Sequence, residues 1–159
     1  AEFKDSGLAG VDEVRFAATK SGTLTLYGGD TGIERVVIGT GSAASANATG
    51  TTALNVNASA LANALVIVGN AGINTLTGTS QSDVLDGGAG ADKLVGGGGN
   101  DTLMGSSGKD VLTGGTGSDI FVFNTAANAA ANLDTLTDFV HLTDKLQFSA
   151  TVFSGLGTT

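Results

Sequence analysis

The sequence predicts an all-β fold, a parallel β-solenoid wound from short coils, on three observations. Residues 69–122 divide into six rows of nine that keep one register: GNAGINTLT, GTSQSDVLD, GGAGADKLV, GGGGNDTLM, GSSGKDVLT and GGTGSDIFV. The 159 residues include 26 glycines and no proline, so tight turns are cheap and every strand residue can donate to a neighbouring strand. The apolar share is 41% but the aromatic share is 5%. Ala, Val, Leu and Ile in small doses between glycines suit a thin, regular core.

Residues 1–9 read as a tag or linker, with Glu2-Phe3 of the kind a cloning junction leaves. Residues 10–68 read as irregular solenoid coils. Val11–Phe16, Thr23–Tyr27, Ile33–Ile38 and Ala53–Asn57 alternate apolar and polar residues, and glycine-containing turns separate several of them. The first and third segments resemble one another at an offset of 22 residues, as successive coils would. For 58–68 a helix is an alternative, because Leu61, Leu65 and Val68 share a helical face. Strand is preferred for Leu65–Val68, and Ala58–Asn63 stays open. This half is polar through Ser, Thr and Asn, and in composition it is similar to bacterial surface-layer proteins and large adhesins.

In residues 69–122 every row starts with glycine: Gly69, Gly78, Gly87, Gly96, Gly105 and Gly114. The sixth place holds Asn74, Asp83, Asp92, Asp101, Asp110 and Asp119, and the eighth holds Leu76, Leu85, Leu94, Leu103, Leu112 and Phe121. Six glycine-rich residues make a turn, and a three-residue strand then points its middle side chain inward. Two rows close one coil, so residue i stacks on i+18. Leu76, Leu94 and Leu112 then line one wall and Leu85, Leu103 and Phe121 the other. Thr75, Lys93, Thr102 and Thr113 face outward.

These rows resemble the GGxGxDxUx nonapeptide of the RTX (repeats-in-toxin) family, a calcium-binding parallel β-roll. The rows at Gly87, Gly96 and Gly114 match throughout, the row at Gly105 lacks the second glycine, and the first two depart further, at Asn74 and Gln81. Several calcium ions are expected as cofactors. Calcium takes six to eight hard oxygens from carboxylates and carbonyls, and a glycine turn ending in aspartate supplies both. The candidate ligands are Asp83, Asp92, Asp101, Asp110 and Asp119 with the turn glycines Gly87, Gly88, Gly90, Gly96, Gly97, Gly99, Gly105, Gly108, Gly114, Gly115 and Gly117. Asp92 and Asp110 fall on one edge of the roll, and Asp83, Asp101 and Asp119 on the other. One row buries about one leucine, worth roughly 1.5–3 kcal/mol, while ordering nine residues costs roughly 9–18 kcal/mol in backbone entropy. Metal binding is therefore expected to be part of folding.

Residues 123–159 are expected to cap the roll. Asp134-Thr135-Leu136-Thr137-Asp138-Phe139, followed by Asp144-Lys145-Leu146, is similar to the D-x-I-x-D-F…D-K-I stretch that caps RTX rolls in secreted proteases. Asp134 and Asp138, four apart on one strand face, would supply further ligands, and Phe139, Leu146 and Phe148 would close the apolar end. The plainer alternative is an edge strand over Leu133–Val140. Ala126–Ala131 reads as a loop, or else a short helix.

The net charge of −8, with no basic stripe, excludes a nucleic-acid binder. The absence of cysteine and the single histidine, His141, exclude thiolate and multi-histidine metal sites. His141, in an expected strand, reads as exposed rather than catalytic. No EF-hand or phosphate-loop pattern occurs, and Asn47 and Asn57 in N-x-S/T contexts read as turn or strand residues. No apolar run approaches a membrane span, and Ala1–Gly10 lacks the apolar core of a signal peptide. The expectation is a non-enzymatic, calcium-binding structural module of a bacterial cell-surface protein of surface-layer or adhesin type. The family resemblance implies export by a type I secretion apparatus, folding in external calcium, and possible assembly into a surface lattice. The alternative is the C-terminal module of a secreted protease, lipase or polysaccharide-modifying enzyme.

Overall fold

A computed structural model of the chain describes residues 12–18, 20–39, 50–126 and 130–153. The expected tag or linker at 1–9, Val11 and Asn47 lie outside the described residues, as do Asn128 and its two neighbours in the expected loop. The described residues contain thirteen strands and no helix, and hence no helix able to cross a membrane.

The strands form two parallel sheets. One runs β1 (Glu13–Phe16), β3 (Arg35–Ile38), β5 (Val66–Val68), β7 (Val84–Asp86), β9 (Thr102–Met104), β11 (Ile120–Phe123), β13 (Lys145–Phe148). The other runs β2 (Gly22–Thr25), β4 (Leu54–Asn57), β6 (Thr75–Thr77), β8 (Lys93–Gly98), β10 (Val111–Thr116), β12 (Thr135–Leu136). The chain alternates between sheets, so each coil adds one strand to each, and the fold is a parallel β-roll. Leu76, Leu94 and Leu112 pair in sequence along one sheet, and Leu85, Leu103 and Phe121 along the other. All six are fully buried, as the eighth place of each row predicts. Of the outward positions, Lys93 is exposed, whereas Thr75, Thr102 and Thr113 are half-buried between their neighbours.

Before the regular rows the coils are longer and unequal. The offset of 22 is realised as β1 pairing with β3, Glu13 opposite Arg35. Residues 58–63 form turns rather than a helix, and the strand that follows begins at Val66, with Ile67 between Val36 and Leu85. β8 and β10 outrun the three residues expected because Gly97 and Gly98 go on pairing with Gly115 and Thr116. At the C-terminal end, the edge strand considered over Leu133–Val140 is confined to Thr135–Leu136. His141 lies exposed in a turn, not in a strand. Ala126, Ala130 and Ala131 are not helical.

Candidate metal centre

Coil stacking draws the sixth-place residues into two columns. Asn74, Asp92, Asp110 and Asp134 follow one another on one edge. Each backbone N–H donates to the Oδ1 of the next, at 2.7, 2.8 and 3.1 Å. On the other edge Leu65 N–H donates to Asp83 at 2.7 Å. Asp83, Asp101 and Asp119 donate in turn to Asp101, Asp119 and Asp144, at 2.8, 2.9 and 3.0 Å. The five sixth-place aspartates, Asp83, Asp92, Asp101, Asp110 and Asp119, are each 1% exposed. The strands enforce this arrangement: when Leu94 stacks on Leu112, the residues two places earlier must stack as well.

The second oxygens are the chemically informative ones. Oδ2 of Asp92, Asp101 and Asp110 is buried and accepts no hydrogen bond. Among the described residues the ion pairs are those of Glu13 with Arg15 and Arg35, so no cationic side chain answers these carboxylates. A buried, unpaired carboxylate costs several kcal/mol. Burial accordingly pushes Asp92 and Asp101 from 3.8 up to about 7, and Asp110 to about 6. The N–H bonds oppose the rise, and neighbouring carboxylates add to it. Asp83, Asp119 and Asp134 are raised too, again chiefly by burial.

A hard cation fits these residues. The turns hold oxygen donors and neither thiolate nor imidazole, a set suited to calcium rather than a soft transition metal. No group of three or more carboxylates converges among the described residues. With one carboxylate per turn, most of the oxygens must therefore be backbone carbonyls. Gly97 and Gly115 show how closely these are stacked. Both have positive φ (114° and 104°), and an added Cβ would overlap the carbonyl of Thr79 or Gly97, one coil before. At Gly87, Gly96, Gly105 and Gly114 the space a Cβ would need is taken by the row's own aspartate. Where the second glycine is missing, Ser106 still takes the turn conformation at φ 68°. It is tied there by its hydroxyl to Asp86 Oδ1 at 2.9 Å.

Two expected ligands sit differently from the rest. Asp83 lies in its column, but its Oδ2 already accepts Thr79 N–H at 2.6 Å. Asp138 lies outside both columns. It stacks 24 residues after Gly114, at a row's first place, and accepts the N–H groups of Gly114 and Gly115 at 2.9 and 2.8 Å. Because the strand stops at Leu136, the i,i+4 spacing does not put Asp134 and Asp138 on one strand face. Asp144 instead continues the column above Asp119. Its signal in the sequence is the Asp-Lys-Leu run of the cap.

The fold and its turns thus define a class, a parallel β-roll with buried carboxylates set for hard cations. A family model described as the RTX calcium-binding nonapeptide repeat matches residues 68–103 and 95–125, in four copies. Residues 68–125 thus match an array of RTX repeats, and such arrays bind several calcium ions. They are structural calcium-binding modules typical of secreted proteins. No curated protein and no solved structure matches the chain.

Proposed function

We propose that the chain is a non-enzymatic, calcium-folded module of a bacterial cell-surface protein of surface-layer or adhesin type. It is exported unfolded by a type I apparatus at low cytosolic calcium and folded outside, with lattice assembly through its sheet faces. The observation that carries the calcium step is the run of three buried, partnerless oxygens on Asp92, Asp101 and Asp110. Those carboxylates, with Asp119 and the carbonyls of the turns from Gly87 to Gly117, would hold the ions, and Asp134 and Asp144 would close the two columns. Bound calcium supplies the positive charge that the columns lack. Titrating calcium into stripped protein should restore the sheet signal in circular dichroism cooperatively. Magnesium should not, because it demands a smaller octahedral shell. A sheet signal indifferent to calcium removal would overturn the proposal.

The two columns also rank individual sites. Asp101→Ala should weaken calcium binding about tenfold or more by calorimetry, a loss of the size seen when a supporting metal-site group is removed. Asp83→Ala should cost metal-free stability instead, about 1–3 kcal/mol, because its oxygens serve Leu65 and Thr79. Equal calorimetric losses would refute the ranking. The second reading, a C-terminal module of a secreted enzyme, is in line with the resemblance of Asp134–Leu146 to the stretch that caps RTX rolls in secreted proteases. The gene sequence upstream of Ala1 decides between them.

A further inference from the structure

The apolar core and the buried carboxylates are distributed in opposite directions along the roll. Among the described residues, thirteen of the seventeen buried apolar side chains precede Gly87; only Leu94, Leu103, Leu112 and Phe121 follow it. Four of the six buried aspartates lie after Gly87, and all three with a partnerless oxygen are among them. The earlier two are provided for: Asp30 Oδ2 accepts Tyr27 N–H at 2.8 Å, and Asp83 is held by Thr79 and Leu65.

We infer that residues 12–86 form a calcium-independent folded seed and that calcium is required only from the row at Gly87 onward. This rests on the calcium reading above and places the boundary inside the repeat array, two rows after its start. Two substitutions in the repeat make the difference. At the sixth place of the first row, the Asn74 amide carries its own donors. Nδ2 donates to Leu54 O at 2.7 Å and to Asn70 Oδ1 at 3.0 Å, and Oδ1 accepts Asn70 N–H at 2.9 Å. An aspartate there would lose both donations and add a buried charge. At the second place of the next row stands Thr79, where Gly88 and Gly97 stand later. Its N–H reaches Asp83 Oδ2 at 2.6 Å and its hydroxyl reaches Asp83 Oδ1 at 3.3 Å. The seed therefore satisfies the side chains of Asn74 and Asp83 from within, leaves the N–H groups of those two residues to meet Asp92 and Asp101, and presents β6 and β7 as preformed edges for β8 and β9.

Hydrogen exchange read by mass spectrometry on the full chain, calcium-stripped and calcium-loaded, tests this. Peptides covering β2 to β7 should stay protected without calcium. Those covering β8 to β13 should exchange at unfolded rates and regain protection on loading. Asn74→Asp should lower calcium-free protection of β4 and β6 at least tenfold, with calcium restoring it. If β2 to β7 exchange freely without calcium yet recover with it, the seed is wrong and the calcium reading stands. If β8 to β13 exchange alike in both states, the calcium reading itself fails. Unchanged protection in Asn74→Asp would remove Asn74 as the boundary residue and overturn the placement proposed.

Discussion

Deleting residues 124–159 is expected to raise the calcium concentration that folds the roll by tenfold or more and to leave a species that aggregates. The segment supplies Asp134 and Asp144, which accept the N–H groups of Asp110 and Asp119. Thr135 and Lys145 donate back to the carbonyls of the same two aspartates, both at 2.8 Å. Asp138 holds the amides of Gly114 and Gly115. Each such bond is worth about 0.5–1.5 kcal/mol net, and more where a charge takes part, so the 1.4 kcal/mol behind a tenfold shift is a lower bound. Leu136 pairs with Leu112, Phe139 lies 6.1 Å from the Phe121 ring, and Phe148 stacks on Phe123 at 5.2 Å. Removing them bares apolar surface beside the unpaired edges of β10 and β11, a template for adding another chain. Calcium titration by circular dichroism and sedimentation velocity measure the two effects. A truncated chain that folds at the unaltered calcium concentration and stays monomeric would show that the segment does not close the roll.

The regular rows were legible because a constant period fixes stacking, and stacking fixes contacts. Leu94 meets Leu112, and Asp92 meets Asp110, for the single reason that both pairs are 18 apart. Where the period changes, sequence alone loses the register. Asp134 and Asp144 stand 24 and 25 residues after the aspartates they follow, and only the pairing of β12 and β13 reveals that shared role. The same change of period hides the position of Asp138: the spacing from Asp134 predicts a shared strand face, whereas the strand ends at Leu136 and the chain bends. In the N-terminal half the offset of 22 was visible because both segments share a pattern, but the longer coils that place β4 beside β2 and β5 beside β3 carry no repeat. That Asn74 and the row at Gly78 depart from the repeat is plain in the sequence. The way Thr79 satisfies Asp83 is visible only once the turn is folded.

The pH dependence of stability should reverse when calcium is bound. In the metal-free roll, burial raises Asp92 and Asp101 to about 7 and Asp110 to about 6, against 3.8 for a carboxyl in its ordinary setting. The folded state therefore holds protons that the unfolded chain has released. Their contribution is fully present below about pH 4 and is lost as pH rises through the folded values near 6 and 7. Acid should accordingly substitute in part for calcium: the rows from Gly87 onward, unfolded in stripped protein at about pH 8, should gain sheet structure and melt at a higher temperature at about pH 5.5. With calcium the order inverts, because the same carboxylates must be deprotonated to serve as ligands, and protons compete with the metal. Apparent calcium affinity should rise steadily across that interval and level off above pH 7 or so. Thermal melts of the stripped and loaded protein at both pH values provide the test. Because the isoelectric point is near 4.2, the acid arm stays above it to keep the chain soluble. Stripped protein that gains stability from pH 5.5 to 8 would mean that Asp92, Asp101 and Asp110 are already charged in the metal-free fold, and the electrostatic case for calcium would fall with it.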